Sequence, residues 1–134
     1  MVQLIVVSHG SFSKALLESA QLIVGEQKDI QTFGFDLGES IDELRDKLGQ
    51  AIETAQKKGE VLVLTDMLSG SPFNAAASLM QRFSFEHLAG INFPVFLEIL
   101  TSREDSTARD LVATAVSRGK DTIVDVNQYI EEVV

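Results

Sequence analysis

The chain contains no cysteine at all among its 134 residues. This absence excludes disulfide bonds, thiolate metal ligands and cysteine catalysis together. Long hydrophobic runs are also missing, since no apolar segment approaches the roughly 20 residues that a membrane-spanning helix needs. The first residues, Met1-Val2-Gln3, lack the positively charged start of a secretory signal peptide. We therefore expect an intracellular, cytoplasmic protein.

Positive charge is scarce, with 11 Lys and Arg against 20 Asp and Glu and a formal net charge of −9. Such a surface repels nucleic-acid phosphates and anionic lipids unless the basic residues gather on one face. The densest basic pair is Lys57-Lys58, at the end of a predicted helix. We expect no nucleic-acid partner, because a basic protein or a small ligand held by backbone groups fits this charge better.

Short β-rich apolar runs alternate with longer amphipathic segments, a pattern typical of βαβ units in an α/β fold. It predicts a mostly parallel sheet covered by helices on both faces, and the length fits a single domain, residues 1–134. The predicted strands are residues 2–7, 30–35, 61–64, 93–100 and 122–126. The predicted helices are residues 13–24, 41–58, 72–83 and 105–118, followed by a last helical stretch.

Two local signals refine this prediction. Ser40 followed by Glu43 has the spacing of a capping box, so a long helix should begin there. Ser71 is the expected N-cap of the next helix, since Pro72 suits the first helical position. We assign His87 to a loop.

Two polar residues follow strands of the predicted sheet. His9 comes directly after the first apolar run, and Asp66 comes directly after the third. Ligands of open parallel sheets lie beyond the carboxyl ends of the strands. Since neighbouring strands lie about 4.8 Å apart, the imidazole and the carboxylate can form a hydrogen bond. That bond would leave one ring nitrogen with a free lone pair, ready to act as a nucleophile or a base.

The segment Ser69, Gly70 and Ser71 presents backbone N–H groups at a helix start, which is a favourable place for an anion. A nucleophilic histidine facing such a turn suggests phosphoryl chemistry, for which we expect neither a metal nor a cofactor. Taken singly, His9 is also compatible with a surface or capping residue, and Asp66 with a turn cap. Their coincidence on one sheet edge favours a site.

These residues resemble a known family over essentially the whole chain. The landmarks are Ser8-His9-Gly10, Gly25-Glu26-Gln27, Gly38-Glu39, Asp66 with Ser69-Gly70-Ser71-Pro72-Phe73-Asn74, and Ala89-Gly90-Ile91-Asn92-Phe93-Pro94. Their order resembles the mannose-family enzyme IIA domain of the bacterial phosphoenolpyruvate-dependent sugar phosphotransferase system. One departure is visible, because the family commonly has two glycines where this chain has Ser69-Gly70.

The resemblance implies a phosphotransferase component with a phosphohistidine intermediate. His9 would accept a phosphoryl group from the carrier protein HPr and pass it to an enzyme IIB for coupled sugar uptake. Asp66 would orient the imidazole and stabilise its positive charge, while the turn from Ser69 to Ser71 would bind the phosphoryl oxygens. The membrane would be involved only indirectly, through the permease subunits.

The resemblance also implies a C-terminal antiparallel edge strand, here residues 122–126, exchanged between the subunits of a homodimer. Some relatives continue into a IIB domain. Because this chain ends at Val134, we expect a free-standing IIA subunit.

Three other functions compete with this interpretation. A related subunit phosphorylates dihydroxyacetone kinase instead of serving a sugar permease. A Ser-His-Asp hydrolase could use Ser8, Ser11 or Ser71, but no G-x-S-x-G motif is present. A receiver domain could accept phosphate on Asp66, but receivers carry an acidic pair after the first strand, where this chain has Ser8-His9.

Overall fold

A computed structural model of the protein describes residues 1–134, and in it strands and helices alternate along most of the chain. The four strands are β1 (Gln3–His9), β2 (Ile30–Phe35), β3 (Val61–Thr65) and β4 (Glu86–Ala89). The six helices are α1 (Phe12–Val24), α2 (Ile41–Gln56), α3 (Ser71–Leu79), α4 (Phe93–Ser102), α5 (Ala108–Gly119) and α6 (Val126–Val133). None of these helices combines the length and the hydrophobicity required to cross a bilayer.

The four strands form one parallel sheet in the order β2-β1-β3-β4. The central strand β1 pairs with β2 on one side and β3 on the other, so that Leu4 lies between Ile30 and Leu62. Residues 4–7 of β1 are at most 1% exposed. A strand covered on both faces carries no polar alternation, which explains the continuous apolar run.

Helices cover both faces of the sheet, as the sequence predicts. Leu4 and Val6 contribute to a core beneath α1, α4 and α5, whereas Ile5 and Val7 contribute to a second core beneath α2 and α3. Successive strand residues point to opposite faces, so one apolar strand serves both cores. The predicted start of α2 is also correct, because the Ser40 hydroxyl accepts the backbone N–H of Glu43.

The prediction of a strand over residues 93–100 is wrong, because this segment is helix α4. The Asn92 side chain accepts the backbone N–H of Val95, and Pro94 lies in the first turn. Both are helix-start signals, whereas a short apolar run alone does not distinguish a buried helix from a buried strand. The fourth strand is instead the half-buried β4, only four residues long, and it contains His87. The assignment of His87 to a loop is therefore also wrong.

The prediction of a fifth strand over residues 122–126 is also wrong for the single chain. A 3-10 turn covers Lys120–Thr122, and α6 begins soon after it with Asp125 as its N-cap. The Thr122 hydroxyl donates to the Gly119 carbonyl and accepts from the Asn92 amide, which holds the turn against α4. The sheet therefore contains no antiparallel strand.

A buried arginine stabilises the end of the sheet at which strands β1 and β2 begin. The Arg103 side chain is 1% exposed, and its guanidinium donates to the backbone carbonyls of Val2, Lys28 and Asp29 and to the Gln27 side chain. Burial lowers the pKa of Arg103, while the charges of Asp29 and Glu104 act in the opposite direction. This residue ties the end of α4 to the start of β1 and to the loop before β2.

We expect Arg103→Met to lower the free energy of unfolding by about 3 kcal/mol, because it leaves several buried carbonyls without a donor. The matched control is Arg118→Met, which removes an exposed guanidinium paired with Glu98. This control should change stability by no more than about 0.5 kcal/mol. Urea unfolding monitored by circular dichroism measures both variants. Equal stabilities of the two variants would contradict the anchoring role of Arg103.

Candidate functional site

The structure brings His9 and Asp66 together at the carboxyl edge of the sheet. His9 is the last residue of β1, and Asp66 follows the last residue of the neighbouring strand β3. The Asp66 Oδ2 atom lies 2.8 Å from His9 Nδ1 and 2.9 Å from the backbone nitrogen of His9. One carboxylate oxygen therefore fixes both the imidazole ring and the main chain that carries it.

This contact distinguishes the two ring nitrogens of His9. A carboxylate only accepts hydrogen bonds, so Nδ1 carries a proton and donates it to Asp66. In the neutral ring Nε2 then keeps a free lone pair. The His9 side chain is 48% exposed and the Asp66 side chain only 15%. A reacting partner can reach Nε2, while the carboxylate remains sheltered behind the ring.

The N-terminus of α3 forms the opposite wall of the site. Gly70, not Ser71 as predicted, is the N-cap, and Ser71 is the first helical residue. No side chain caps this helix, and the backbone N–H groups of Ser71 and Phe73 make no hydrogen bond within the chain. The amides of residues 67–70 are also free of partners. These N–H groups lie at the positive end of the helix dipole, where an anion is stabilised.

Gly70 lies directly against the imidazole of His9. A Cβ atom at this position would lie 2.7 Å from both Cε1 and Nε2 of His9, closer than atoms can approach. Gly70 also has φ +92°, a conformation that side chains rarely adopt. Ser69 does not have a positive φ, so a serine instead of a glycine at this position causes no backbone strain. The structure thus places the predicted turn, residues 69–71, beside Nε2.

The turn between β1 and α1 is held by residues that the sequence did not single out for this purpose. The buried Ser8 hydroxyl accepts the backbone N–H of Ser13 at 2.7 Å, and the Ser13 hydroxyl donates to the carbonyl of Phe33. Gly10 has φ +54° and donates its N–H to the carbonyl of Phe35. In the sequence, only the small and polar residues next to His9, namely Ser8, Gly10 and Ser13, indicate that this turn is held by hydrogen bonds.

His87 lies on β4, beneath the first turn of α3, and does not join His9. Its Nε2 atom is 2.9 Å from the hydroxyl oxygen of Thr65, and its ring centroid is 5.3 Å from that of Phe73. Burial lowers the pKa of His87 below its ordinary value of 6.5. The ring is therefore neutral at neutral pH.

Exposed apolar side chains lie on the connections that follow β1, β2 and β3. They come from the start of α1, from the loop after β2 and from the loop after β3, and are Phe12, Leu37, Met67 and Leu68. We call them the apolar rim. No group of three or more His, Asp or Glu side chains in the chain is arranged to hold a metal ion.

Comparisons with known proteins agree with one another. Residues 3–116 match the family model EIIA-man, described as "PTS system fructose IIA component". The chain is 34% identical over 134 residues to the PTS system fructose-specific EIIA component of Bacillus subtilis, covering 99% of this chain and 92% of that protein. It is 32% identical over 124 residues to the mannose-specific EIIAB component of Escherichia coli, covering 91% of this chain and 38% of that longer protein.

Solved structures give the same result. The phosphotransferase system component EIIA from Streptococcus agalactiae superposes with a TM-score of 0.87 at 31% identity, covering 96% of this chain and 99% of that one. The mannose/sorbose-specific IIA subunit from Enterococcus faecalis has a TM-score of 0.82 at 27% identity, covering 91% of this chain and 92% of that one.

We expect Gly70→Ala to displace the imidazole of His9, because the new methyl group would overlap the ring. The matched control is Gly25→Ala, since Gly25 has nearly the same backbone conformation, φ 83° and ψ 177° against φ 92° and ψ 177°, but open space around it. Both variants should lose about 1–3 kcal/mol of stability from backbone strain. Only Gly70→Ala should shift the imidazole ¹⁵N resonances of His9. Unchanged resonances in that variant would rule out the close contact.

The lowered pKa of His87 predicts a pH-dependent stability. Below pH 6.5 the unfolded chain binds a proton at His87 before the folded chain does, so acidification favours unfolding. Above that pH both states hold the neutral ring and the effect vanishes. Urea midpoints measured from about pH 7 to about pH 5 should fall more steeply for the wild type than for His87→Gln. Parallel curves would show that His87 is not buried as described.

Proposed function

Because the chain belongs to the EIIA-man family of sugar phosphotransferase system components, we propose that it is a phosphoryl carrier whose acceptor is Nε2 of His9. Family membership establishes a phosphotransfer role in sugar uptake. The observation that carries the finer proposal is the geometry of His9. Its Nδ1 is engaged by Asp66, and its Nε2 lies against Gly70 beside the free amides of α3.

The donor in this proposal is the phosphohistidine of HPr. The lone pair of His9 Nε2 attacks phosphorus, the P–N bond to the HPr imidazole breaks, and its electron pair returns to that imidazole. His9 keeps its proton on Nδ1, so the ring becomes a cation bearing the phosphoryl group. Asp66 stabilises this charge through a hydrogen bond that is already formed, and no reorganisation is needed during transfer.

The phosphoryl oxygens are held by the turn from Ser69 to Ser71 and by the first amides of α3. Because Pro72 has no N–H, the available donors within the first turn of α3 are the backbone groups of Ser71 and Phe73. The helix dipole adds to their attraction for negative charge. In the transfer onward, the acceptor group of an enzyme IIB attacks phosphorus, the P–N bond to His9 breaks, and its electron pair returns to Nε2. The same groups of this chain again hold the transferring phosphoryl group.

HPr and enzyme IIB would dock on the apolar rim, which lies at the same end of the sheet as the exposed imidazole. Transient complexes of this kind need apolar contact area with modest affinity, so that each partner leaves after transfer. The net charge of −9 favours a partner whose docking face is basic and speeds its approach. We place the protein in the cytoplasm, where such carriers act, as a domain of EIIA type.

The proposal includes a homodimer in which residues 122–126 pair with a second copy of the chain. In the single chain Ile123 and Val124 are exposed, and α6 leaves one apolar side uncovered. The exposed apolar residues of α6 are Val126, Tyr129, Ile130 and Val133. In the proposed dimer, a second copy covers these apolar residues of α6. It also supplies a strand partner for residues 122–126.

The competing functions find less support in the geometry. The Ser8 hydroxyl is fully buried and bound by the N–H of Ser13, which does not suit a hydrolytic nucleophile. A receiver domain needs an accessible aspartate, whereas Asp66 is engaged with His9. Phosphotransfer to dihydroxyacetone kinase would use the same His9 chemistry, and only the identity of the acceptor separates the two pathways.

The test is phosphorylation of the protein by phosphoenolpyruvate, enzyme I and HPr. We expect an acid-labile, base-stable phosphoryl group on His9 and none in His9→Ala. Asp66→Asn should slow labelling about 100-fold, because the charge that stabilises the cation is lost. The control Asp42→Asn removes one exposed carboxylate paired with Arg45 and should keep the wild-type rate.

An unlabelled wild-type protein, or a label on Asp66, would contradict the proposal. Transfer from the labelled protein to a purified enzyme IIB supports the sugar pathway. Transfer to dihydroxyacetone kinase instead would replace the acceptor in the proposal and leave the role of His9 intact.

A further inference from the structure

Besides His9, nothing in the chain forms a hydrogen bond with the Asp66 side chain. Its Oδ2 atom binds only His9, and its Oδ1 atom is buried without a hydrogen-bond partner in the chain. No other side chain therefore positions the carboxylate. Its location depends on the residue before it, Thr65, with which β3 ends.

Both oxygens of Thr65 are bound by β4 and the residues that follow it. The Thr65 carbonyl accepts the N–H groups of Gly90 at 3.0 Å and Ile91 at 3.3 Å. The Thr65 hydroxyl is hydrogen-bonded to His87 Nε2 at 2.9 Å, and Thr65 is fully buried. The hydrogen bond between the Thr65 and His87 side chains therefore connects β3 to β4 at the residue that directly precedes Asp66.

His87 also contacts the other half of the site. The Phe73 ring, from the first turn of α3, lies over the His87 ring with 5.3 Å between centroids and 33° between planes. That turn carries the free amides beside His9 Nε2. The cluster formed by Thr65, His87 and Phe73 thus contains the residue directly before Asp66 and a residue of the helix that forms the anion site.

We propose that Thr65 and His87 are positioning residues for phosphoryl transfer, whose hydrogen bond sets the placement of Asp66 and of the first turn of α3 relative to His9. This inference rests on the proposed function of His9. Phosphoryl transfer relies on positioning, and a misplacement of a fraction of an ångström costs rate. Neither residue touches the phosphoryl group in this account; both act through Asp66 and α3.

The surroundings of the pair fit a fixed, uncharged contact. The elements packed on this face of β4, namely β3 and α3, carry no ionisable side chain. The charged neighbour on β4, Glu86, pairs at 3.1 Å with Arg109 of α5, which covers the opposite face. No ionisable side chain of β3 or α3 therefore competes for the hydrogen bond between Thr65 and His87.

The decisive variant is Thr65→Val, which removes the hydroxyl and keeps the shape of the side chain. Thr65→Ser, which keeps the hydroxyl, serves as the conservative variant. Thr101→Val is the matched control, because the Thr101 hydroxyl is bound to backbone carbonyls of α4, away from the site. Each protein is assayed for the rate of phosphoryl transfer from phospho-HPr, for the imidazole ¹⁵N resonances of His9 and for stability in urea.

Thr65→Val should lower kcat about tenfold, with little change in KM for phospho-HPr, and should shift the His9 resonances. Thr65→Ser and Thr101→Val should resemble the wild type. A loss of stability in Thr65→Val without a change in kcat or in the His9 resonances would overturn the proposal, leaving a purely structural contact. Equal slowing by Thr65→Ser would overturn it as well.

The same measurements separate this inference from the proposed function. If the wild type accepts no phosphoryl group, the function of His9 fails, but the His9 resonances still report whether Thr65 positions the pair. Should Thr65→Val not fold, His87→Leu replaces it, with His87→Gln as the conservative variant. Slower phosphoryl transfer in His87→Leu, with a nearly wild-type rate in His87→Gln, supports the proposal. Equal transfer rates in these two variants overturn it.

Discussion

The Asp66 carboxylate accepts two hydrogen bonds from His9, one from the ring and one from the backbone, through a single oxygen. This contact requires that β1 and β3 be neighbours, that they run parallel, and that the end of β3 lie close to the end of β1. The buried apolar strands and the helices on both faces make that arrangement stable. Because the carboxylate binds Nδ1, Nε2 is the ring nitrogen left free for the chemistry that we propose.

The two edges of the sheet have different roles. At the edge where β1 begins, Arg103 satisfies several backbone carbonyls and fastens α4 to the sheet. At the opposite edge the amides around Gly70 and Ser71 remain without partners, and apolar side chains remain exposed. Unsatisfied groups reduce stability, and proteins keep them where they bind something. The chain thus satisfies its backbone carbonyls where β1 begins and leaves backbone amides without partners where β1 ends.

The sequence allowed the sheet type and the pairing of His9 with Asp66 to be predicted, because continuous apolar runs and strand-end positions are local features. It did not distinguish α4 from a strand, since Phe93 and its neighbours are apolar and only Asn92 and Pro94 indicate a helix. The short strand β4 and the contact between Thr65 and His87 escaped prediction because they depend on neighbours distant in sequence. The apolar pattern of residues 122–126 predicts a fifth strand, but the sheet of the single chain has four strands because this segment has no strand partner there.

The central claim concerns one atom, and ¹⁵N–³¹P NMR of the protein phosphorylated through HPr tests it most directly. The account predicts a phosphorus coupling to Nε2 of His9, with the proton on Nδ1 retained and still hydrogen-bonded to Asp66. This result follows from a ring that Asp66 holds on one side and that faces Gly70 and the amides of α3 on the other. A phosphoryl group on Nδ1, or on any residue other than His9, would contradict the account.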